Sequence, residues 1–354
     1  MSRYFSANHA QLKAFVPGEQ PAGIRCKLNT NESPFPPSPA VAKAVADTIG
    51  RLQLYCDPAC AQLTAAVAEL CGVEPEQVLM TNGSDEALSL AFLAYGDAEH
   101  PLAMPDVSYG FYGVGADLYN IPKVKLPLRE DWTIDVQDYC GIGKNVVLAN
   151  PNAPTGLLLP VDQLEEIVRT NPDHMIIVDE AYADFCNAPS SCLPLLKKYD
   201  NLLITRTFSK GYSMSGARLG FVIARPEVIE DLKTVKNSIN PYNVNSMTAA
   251  AGLAALSEND YYMENCRIIR ENRDRTKDAL RAMGAEVLDS SCNFLFFRCP
   301  GLTGEAVYAG LRRRGVLIRY FAGERTSPWA RVTVGTQEQM EDFLNALREL
   351  LAEQ

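Results

Sequence analysis

Short apolar and β-branched runs alternate with helix-like segments between residues 77 and 224. The runs are QVLM (77–80), PLAM (101–104), VKLPL (124–128), NVVLA (145–149), MIIV (175–178), LLIT (202–205) and GFVIA (220–224). Helix-like segments such as DEALSLAFLAY (85–95) and DQLEEIV (162–168) lie between them. Strands that alternate with helices predict an α/β fold with a mainly parallel sheet covered on both faces, and such sheets bind ligands at the carboxyl ends of their strands. We therefore expect functional residues directly after these runs.

The pattern changes after residue 255. A long helix-like segment (258–284) comes first, and the strand-like runs EVLD, NFLFFR and RVTV then alternate with helical segments such as EAVYAGLRRRG. Single cores stop growing near roughly 250 to 300 residues, so a chain of 354 residues predicts two domains. We expect a large α/β domain over 29–255 and a smaller α+β domain over 256–354, which an N-terminal arm, 1–28, joins.

Composition and charge exclude several classes of protein. Apolar residues make up 47% and charged residues 21%, which argues against disorder, and the net charge of −10 repels a nucleic-acid backbone. No apolar window approaches the roughly 18 residues of a membrane span. Ten scattered cysteines, of which Cys56 and Cys60 are the closest pair, indicate reduced thiols in a cytoplasmic enzyme rather than a disulfide framework or structural zinc. Three histidines give poor support for a Ser-His-Asp hydrolase or a histidine-ligated metal.

Polar residues follow several of the predicted strands. In MTNGSDEA, Gly83, Ser84 and Asp85 open a helix whose free backbone N–H groups can seat an anion, although an ordinary helix cap has the same residues. In NPNAPTG, two prolines stiffen a loop that can aim Asn152. Asp179 follows MIIV, where a buried carboxylate needs a cationic or hydrogen-bonding partner unless it caps the next helix.

Lys210 stands among small residues in TFSKGYSMSGARLG, where the next charged residue is Arg218. An anion-binding helix start, an amide, a carboxylate and an isolated lysine, each after a different strand, predict a pocket for pyridoxal 5′-phosphate rather than a surface lysine. In that pocket Lys210 forms a Schiff base with the aldehyde, and Asp179 pairs with the pyridine nitrogen. Arg218, Ser209 and the helix start at Gly83 are expected to bind the phosphate by charge-assisted hydrogen bonds.

The order of motifs resembles that of the fold-type I pyridoxal-phosphate-dependent aminotransferases, and within them the branch that acts on histidinol phosphate. The resemblance covers nearly the whole chain. It rests on KLNTNESPFPPSP, LYCDPACAQL, TNGSDEAL, DVSYGFY, NPNAPTG, VDEAYADF, RTFSKGYSMSGARLG, PYNVN, GVLIRYF and RVTVGT. It implies exchange of an amino group between histidinol phosphate and 2-oxoglutarate, in which the freed amine of Lys210 moves the proton at the substrate's Cα.

The resemblance also implies roles for five further residues. Tyr109 would stack on the cofactor ring, and Tyr182 would hydrogen-bond the ring's phenolic oxygen. Tyr55 would reach the cofactor phosphate of a neighbouring subunit, which implies a homodimer with shared sites. Arg331 would bind the α-carboxylate of the acceptor acid, and Arg319 would meet the phosphate of histidinol phosphate.

Three alternatives stay open at this point. A threonine-phosphate decarboxylase and an aromatic-amino-acid aminotransferase share most of these motifs. A non-catalytic pyridoxal-phosphate-sensing regulator needs a basic DNA-binding head, and residues 1–28 hold only four basic residues.

The chain departs from the family pattern at three positions. Ala153 stands where the family has a second asparagine, so either Asn152 turns inward to replace that amide or Tyr182 holds the phenolic oxygen alone. Phe15 stands where a tyrosine that helps bind substrate phosphate is common, which weakens the substrate prediction more than the cofactor prediction. Cys56 replaces a proline beside Tyr55, which alters the stiffness of that loop.

Overall fold

The computed structural model describes residues 2–187 and 189–353, so Met1, Ala188 and Gln354 lie outside the described residues. Met1 and Gln354 are the outer limits of the predicted arm and the predicted C-terminal domain. The strands are β1 (Cys26–Lys27), β2 (Val78–Thr81), β3 (Leu102–Pro105), β4 (Lys123–Leu126), β5 (Asn145–Ala149), β6 (Ile176–Asp179), β7 (Leu202–Thr207), β8 (Gly220–Ala224), β9 (Glu286–Val287), β10 (Phe294–Arg298), β11 (Val316–Leu317), β12 (Arg319–Tyr320) and β13 (Ala330–Thr333). The α-helices are α1 (Pro39–Ile49), α2 (Ala61–Cys71), α3 (Ser84–Tyr95), α4 (Phe111–Leu118), α5 (Val161–Thr170), α6 (Pro226–Ile239), α7 (Ser246–Ser257), α8 (Asn259–Ala282), α9 (Gly304–Arg313) and α10 (Gln337–Ala352).

The seven apolar runs of the sequence pattern form one seven-stranded sheet in the order β2-β8-β7-β6-β5-β3-β4. β8 is antiparallel to both of its neighbours, and the remaining pairs are parallel. The predicted α/β fold class is confirmed. Because β8 alone runs against the others, its amino end shares an edge of the sheet with the carboxyl ends of β2, β3, β5, β6 and β7. Most of the predicted site residues follow those strand ends.

Both faces of this sheet are buried. Successive side chains of a strand point to opposite faces, and in β6 Ile176 and Val178 join one apolar cluster while Ile177 joins another. Helices α2, α5 and α7 pack on the first face, and α3, α4 and α6 pack on the second. Strands buried on two faces need apolar residues at every position, which explains the continuous runs in the sequence.

A four-stranded antiparallel sheet lies in the last third of the chain, in the order β12-β13-β10-β9. Helices α8, α9 and α10 contribute to its core, which includes Leu295, Phe297 and Phe343. β1 pairs in parallel with β11, so the end of the N-terminal arm attaches to this part of the chain. Within the described residues, no helix has the length and apolar character that crossing a membrane requires.

Candidate active site

One end of the site lies between the first turn of α3 and the loop before β8. Arg218 donates from Nη2 to Asp85 Oδ2 at 3.2 Å and reaches Ser209 Oγ with Nη1 at 3.5 Å. Gly83 has a φ of 81°, and a Cβ there would lie 2.5 Å from Nη2 of Arg218. Glycine at position 83 therefore lets the guanidinium lie against the backbone. This guanidinium, the Ser209 hydroxyl and the N–H groups at Ser84 and Asp85 form a seat for an anion.

Asp179 ends β6 and lies buried in the centre of the edge. Its Oδ2 accepts a hydrogen bond from Tyr112 Oη at 2.9 Å, and its Oδ1 accepts one from Thr205 Oγ1 at 3.0 Å. Burial raises the pKa of Asp179 to about 6, although these two hydroxyl donors oppose that shift. Among the described residues, no cation contacts Asp179 to favour its ionised form, and a protonated pyridine nitrogen would supply that positive charge.

Lys210 follows β7 and is half-buried. Its Nζ donates to the backbone oxygen of Thr30 at 3.2 Å. Burial lowers the pKa of Lys210 to about 8, and the positive charges of Arg331 and Arg218 add to that effect. An amine with this pKa is partly neutral near pH 7 to 8, and the neutral amine is the nucleophile that attacks a carbonyl carbon.

Tyr182 lies just beyond β6. Asn31 Nδ2 donates to its hydroxyl at 2.9 Å, and the edge of its ring meets Phe294 with centroids 5.1 Å apart. Burial raises the pKa of Tyr182 to about 12, whereas the charge of Arg331 and the Asn31 hydrogen bond lower it. Tyr182 is therefore a neutral phenol over the working range of pH.

Asn152 lies in the loop after β5 and is buried. Its Nδ2 donates to Val107 O and to Thr155 Oγ1, both at 3.1 Å, and its Oδ1 accepts from Ser108 Oγ at 2.7 Å. Both amide N–H groups are thus engaged within the surrounding loops. The neighbouring Ala153 packs in an apolar cluster with Cys292, Phe294 and Tyr182.

Tyr109 follows β3 and contacts both Asp85, beside the anion seat, and Tyr112, which holds Asp179. Its hydroxyl donates to Asp85 Oδ1 at 2.9 Å, and its ring stands edge-on to Tyr112 with centroids 5.6 Å apart. Phe15 of the N-terminal arm packs edge-on against Tyr109 at 5.7 Å. The arm therefore reaches the site with an aromatic ring that has no hydroxyl.

Arg331 projects into the site from β13. Its Nη2 donates to the backbone oxygen of Asn29 at 3.1 Å, and its guanidinium lies over the rings of Phe294 and Phe321 at 5.1 and 5.4 Å. Its Nε is buried and has no hydrogen-bond partner among the described residues. A buried guanidinium with an unused donor is suited to a carboxylate, which binds two adjacent N–H groups at once.

Arg319 pairs directly with Arg331 across the antiparallel strands β12 and β13. Its Nη2 donates to Val16 O at 3.0 Å and its Nη1 to Pro17 O at 3.3 Å. The arm thus supplies backbone oxygens to a guanidinium that neighbours the carboxylate seat. Two cations on adjacent strands make this side of the site attractive to a substrate with more than one negative charge.

Tyr55 lies outside this cluster of side chains. It is 83% exposed and stacks on Tyr242 with ring centroids 4.6 Å apart. The structure therefore brings together all of the predicted site residues except Tyr55, which faces outward.

Sequence reasoning missed four residues that contact the predicted site. Tyr112 and Thr205 hold Asp179, the backbone oxygen of Thr30 holds Lys210, and Asn31 holds Tyr182. Thr205 ends the run LLIT, and position 205 pairs with 179 in the parallel register, so strand alignment could have found it. For Asn31 the only signal in the sequence is its residue type, because asparagine tolerates the positive φ of 56° that this position adopts.

The residues present fit pyridoxal 5′-phosphate. The anion seat at Gly83 and Arg218 suits its phosphate, buried Asp179 has no cationic partner among the described residues, and the amine of Lys210 has a lowered pKa. The unused Nε of Arg331 remains for a substrate carboxylate.

Comparisons with known proteins agree with this geometry. The family model described as "Aminotransferase class I and II" matches residues 24–347. Histidinol-phosphate aminotransferase 1 of Bradyrhizobium diazoefficiens is 42% identical over 99% of this chain and 100% of its own length. Histidinol-phosphate aminotransferase of Brachyspira hyodysenteriae is 40% identical over 99% of both chains. A crystal structure of histidinol-phosphate aminotransferase from Sinorhizobium meliloti, in complex with pyridoxal-5′-phosphate, superposes with a TM-score of 0.88 at 24% identity, and covers 100% of this chain and 99% of that one.

The chain belongs to the class I and II aminotransferases. Within that family, relatives that match over nearly their full length are histidinol-phosphate aminotransferases, so the resemblance that the motifs carried is confirmed. The Sinorhizobium structure supports the fold alone, because its sequence identity is low. Substrates of an aminotransferase are an amine and a 2-oxo acid.

Proposed function

We propose that this protein transfers an amino group between histidinol phosphate and 2-oxoglutarate, giving imidazole-acetol phosphate and glutamate, with pyridoxal 5′-phosphate as its cofactor. The observation that carries the proposal is the half-buried amine of Lys210, with its lowered pKa, on the same sheet edge as buried Asp179. The substrate follows from the names of the relatives at 40% and 42% identity and from the two arginines of β12 and β13.

The cofactor, when bound, supplies an electron sink for negative charge at the substrate's Cα. Asp179 keeps a proton on the ring nitrogen, and Tyr182 donates to the phenolic oxygen. Lys210 is the point of covalent attachment. Once displaced by an incoming amine, its neutral amine would take the proton from Cα and return it to the cofactor carbon on the other side of the substrate nitrogen.

The phosphate of the cofactor would bind Arg218, Ser209 and the first turn of α3, because these groups already converge. Gly83 leaves room for that arrangement, since any larger residue would push the guanidinium aside. Tyr109 is held by Asp85 and would stack on the cofactor ring.

Arg331 and Arg319 would each bind an anionic group, and the two groups belong to different substrates. Arg331 has the unused buried donor and therefore takes the α-carboxylate of glutamate. Arg319 takes the phosphate of histidinol phosphate, which requires its donors to leave the backbone oxygens of Val16 and Pro17.

The proposal includes a homodimer with shared sites, which Tyr55 supports because its side chain is exposed on a single chain. Exposed apolar side chains surround the segment that carries it and the segment of its stacking partner. They are Ile49, Leu52, Leu54, Tyr55, Ile239 and Tyr242. Apolar patches of this kind mark protein interfaces.

The predicted domains, 29–255 and 256–354 with the arm 1–28, remain part of this proposal. The cytoplasmic location is also part of it. All ten cysteines are free thiols, which agrees with a reducing compartment.

The test is a half-reaction under single-turnover conditions. The protein loaded with pyridoxal 5′-phosphate is mixed with histidinol phosphate, threonine phosphate or phenylalanine, and its visible absorbance is followed as the cofactor takes up the amino group. We expect the fastest conversion with histidinol phosphate, and Arg319→Ala to slow that substrate but not phenylalanine. Faster conversion of phenylalanine, or release of carbon dioxide from threonine phosphate, would contradict the proposed substrate. Borohydride reduction that labels a residue other than Lys210 would contradict the whole proposal.

A further inference from the structure

Asn31 takes part in a hydrogen-bond network with Thr333 and Tyr182. Its backbone N–H donates to Thr333 Oγ1 at 2.9 Å, and Thr333 Oγ1 lies 3.1 Å from Asn31 Oδ1. Because the Thr333 oxygen already accepts from the backbone, its own proton is available to Oδ1. The amide oxygen of Asn31 therefore faces Thr333, and Nδ2 faces Tyr182 Oη at 2.9 Å.

The direction of the bond to Tyr182 follows from this network. A phenol has one proton and two acceptor sites. Since Asn31 donates, the proton of Tyr182 points away from Asn31. The other neighbours of Tyr182 include Ala153, Cys292 and Phe294, which form an apolar cluster. The remaining direction is the site itself.

The direction of the Tyr182 hydroxyl proton matters because of the residues around position 153. Ala153 has no donor, and both N–H groups of Asn152 are engaged by Val107 and Thr155. Tyr182 therefore supplies a donor for an oxygen on a bound ring that Ala153 and Asn152 do not supply.

Asn31 is held firmly enough to impose the direction. It is 1% exposed, and its backbone oxygen accepts from Asn293 Nδ2 at 3.0 Å. Its φ of 56° is one that asparagine adopts at less cost than most residues. Position 31 thus combines a fixed backbone with a fixed amide.

We propose that Asn31 is a positioning residue that makes Tyr182 a hydrogen-bond donor toward the cofactor's phenolic oxygen, and so compensates for the side chain that Ala153 lacks. The inference rests on the proposed function, because it needs pyridoxal 5′-phosphate in the site. It assigns Asn31 a role through Tyr182, with no contact of its own to the reacting atoms.

The test is Asn31→Asp, which replaces the donor with an acceptor of the same size. Tyr182 then donates to the carboxylate, and the phenolic oxygen loses its hydrogen bond. The phenolic oxygen then becomes more basic. It holds more tightly the proton that it shares with the nitrogen joining Lys210 to the cofactor. We expect the pH midpoint of the visible absorbance of the loaded protein to rise by about one unit, as in Tyr182→Phe. The double variant should show the shift of either single variant, since both remove the same bond.

Two further variants separate this role from a structural one. Asn31→Gly keeps the positive φ without strain and removes the donor without adding an acceptor, so a smaller upward shift is expected. Asn171→Asp places the same charge at a buried asparagine that donates to two carbonyls, Tyr139 O and Ile167 O, shortly before the amino end of β6. The absorbance midpoint of that control should equal that of the wild type.

The outcomes distinguish the two proposals. A wild-type protein that binds no pyridoxal 5′-phosphate overturns the proposed function. A loaded wild type with an unshifted Asn31→Asp, or with additive shifts in the double variant, overturns the role of Asn31 alone. Should Asn31→Asp not fold, an unshifted Asn31→Gly beside a shifted Tyr182→Phe overturns that role equally.

Discussion

Two consecutive carboxylates at the end of β6 are buried in opposite ways. Asp179 faces the site and accepts hydrogen bonds from the hydroxyls of Tyr112 and Thr205, with no cation among its described partners. Glu180 faces away and pairs with Arg206, whose Nη2 and Nε both donate to Oε2, at 2.8 and 3.0 Å. Ser191 Oγ and the Cys192 N–H donate to the same carboxylate at 2.8 and 2.6 Å.

The difference separates a charge that stabilises the fold from a charge that waits for a ligand. Glu180 receives its counter-ion from the neighbouring strand β7, so its region is complete without any other molecule. Asp179 receives hydroxyl donors, which orient the carboxylate but do not offset the cost of burying it, and its pKa is raised to about 6. The cation that completes this half is the protonated ring of the proposed cofactor.

The largest expected effect is the loss of turnover in Asp179→Asn. The neutral amide cannot hold a proton on the ring nitrogen, so the electrostatic stabilisation of charge at Cα is lost, and we expect kcat to fall by about a thousandfold. Steady-state assays of the loaded variant measure it. Glu180→Gln is the matched control, because it neutralises the adjacent carboxylate and should stay within several-fold of wild type. Equal losses in the two variants would mean that the two carboxylates do not differ as described.

The reverse order is expected for stability. Glu180→Gln leaves the largely buried Arg206 without its partner, and breaking such a pair typically costs about 3–5 kcal/mol of unfolding free energy. Urea unfolding of the cofactor-free protein measures this. The double variant Glu180→Gln with Arg206→Met should recover part of the loss, since it removes the guanidinium that Glu180→Gln leaves without its partner. A Glu180→Gln protein as stable as wild type would show that the pair contributes nothing.

The sequence reveals the surroundings of Asp179 more readily than those of Glu180. Asp179 and Lys210 could be predicted because Asp179 directly follows an apolar run and Lys210 comes five residues after another, so a local pattern placed both at the ligand-binding edge. The partner of Glu180 could not be read in the same way, because Arg206 lies 26 residues away and its side of the sheet depends on strand order.

The supporting residues of the site were still less accessible from sequence. Tyr112 lies in the apolar helix α4, where its pattern indicates core packing, and Asn31 meets Tyr182 across 151 positions. Tertiary placement, rather than residue type, gives both of them their function. Tyr55 shows the converse, since a motif named it and a single chain leaves it exposed.

The free energy of unfolding should depend on pH through the titration of Asp179. Its folded pKa of about 6 lies above the ordinary value of 3.8, so ionisation destabilises the fold, and the penalty is absent below about pH 4 and complete above about pH 6. Asp179→Asn should therefore be as stable as wild type at pH 4 and more stable by about 2–3 kcal/mol at pH 7 in the cofactor-free protein. Thermal unfolding across this range measures the difference. A constant difference at every pH would place the effect in packing instead of charge.

The smallest expected effect concerns the hydroxyls that orient Asp179. Tyr112→Phe removes one donor to a buried carboxylate, which raises the pKa of Asp179 further and weakens its hold on the ring proton. We expect kcat to fall by about tenfold and the ¹⁵N resonance of labelled ring nitrogen to move toward that of neutral pyridine.

Tyr139→Phe is the matched control for that change. Tyr139 is also buried, but its hydroxyl has no hydrogen-bond partner among the described residues, so its removal should leave kcat and the ring resonance unchanged. If the two variants moved the resonance alike, Tyr112 would act through general packing. A shift confined to Tyr112→Phe would show that the hydroxyls around Asp179 do for this carboxylate part of what Arg206 does for Glu180, while leaving its charge for the ligand.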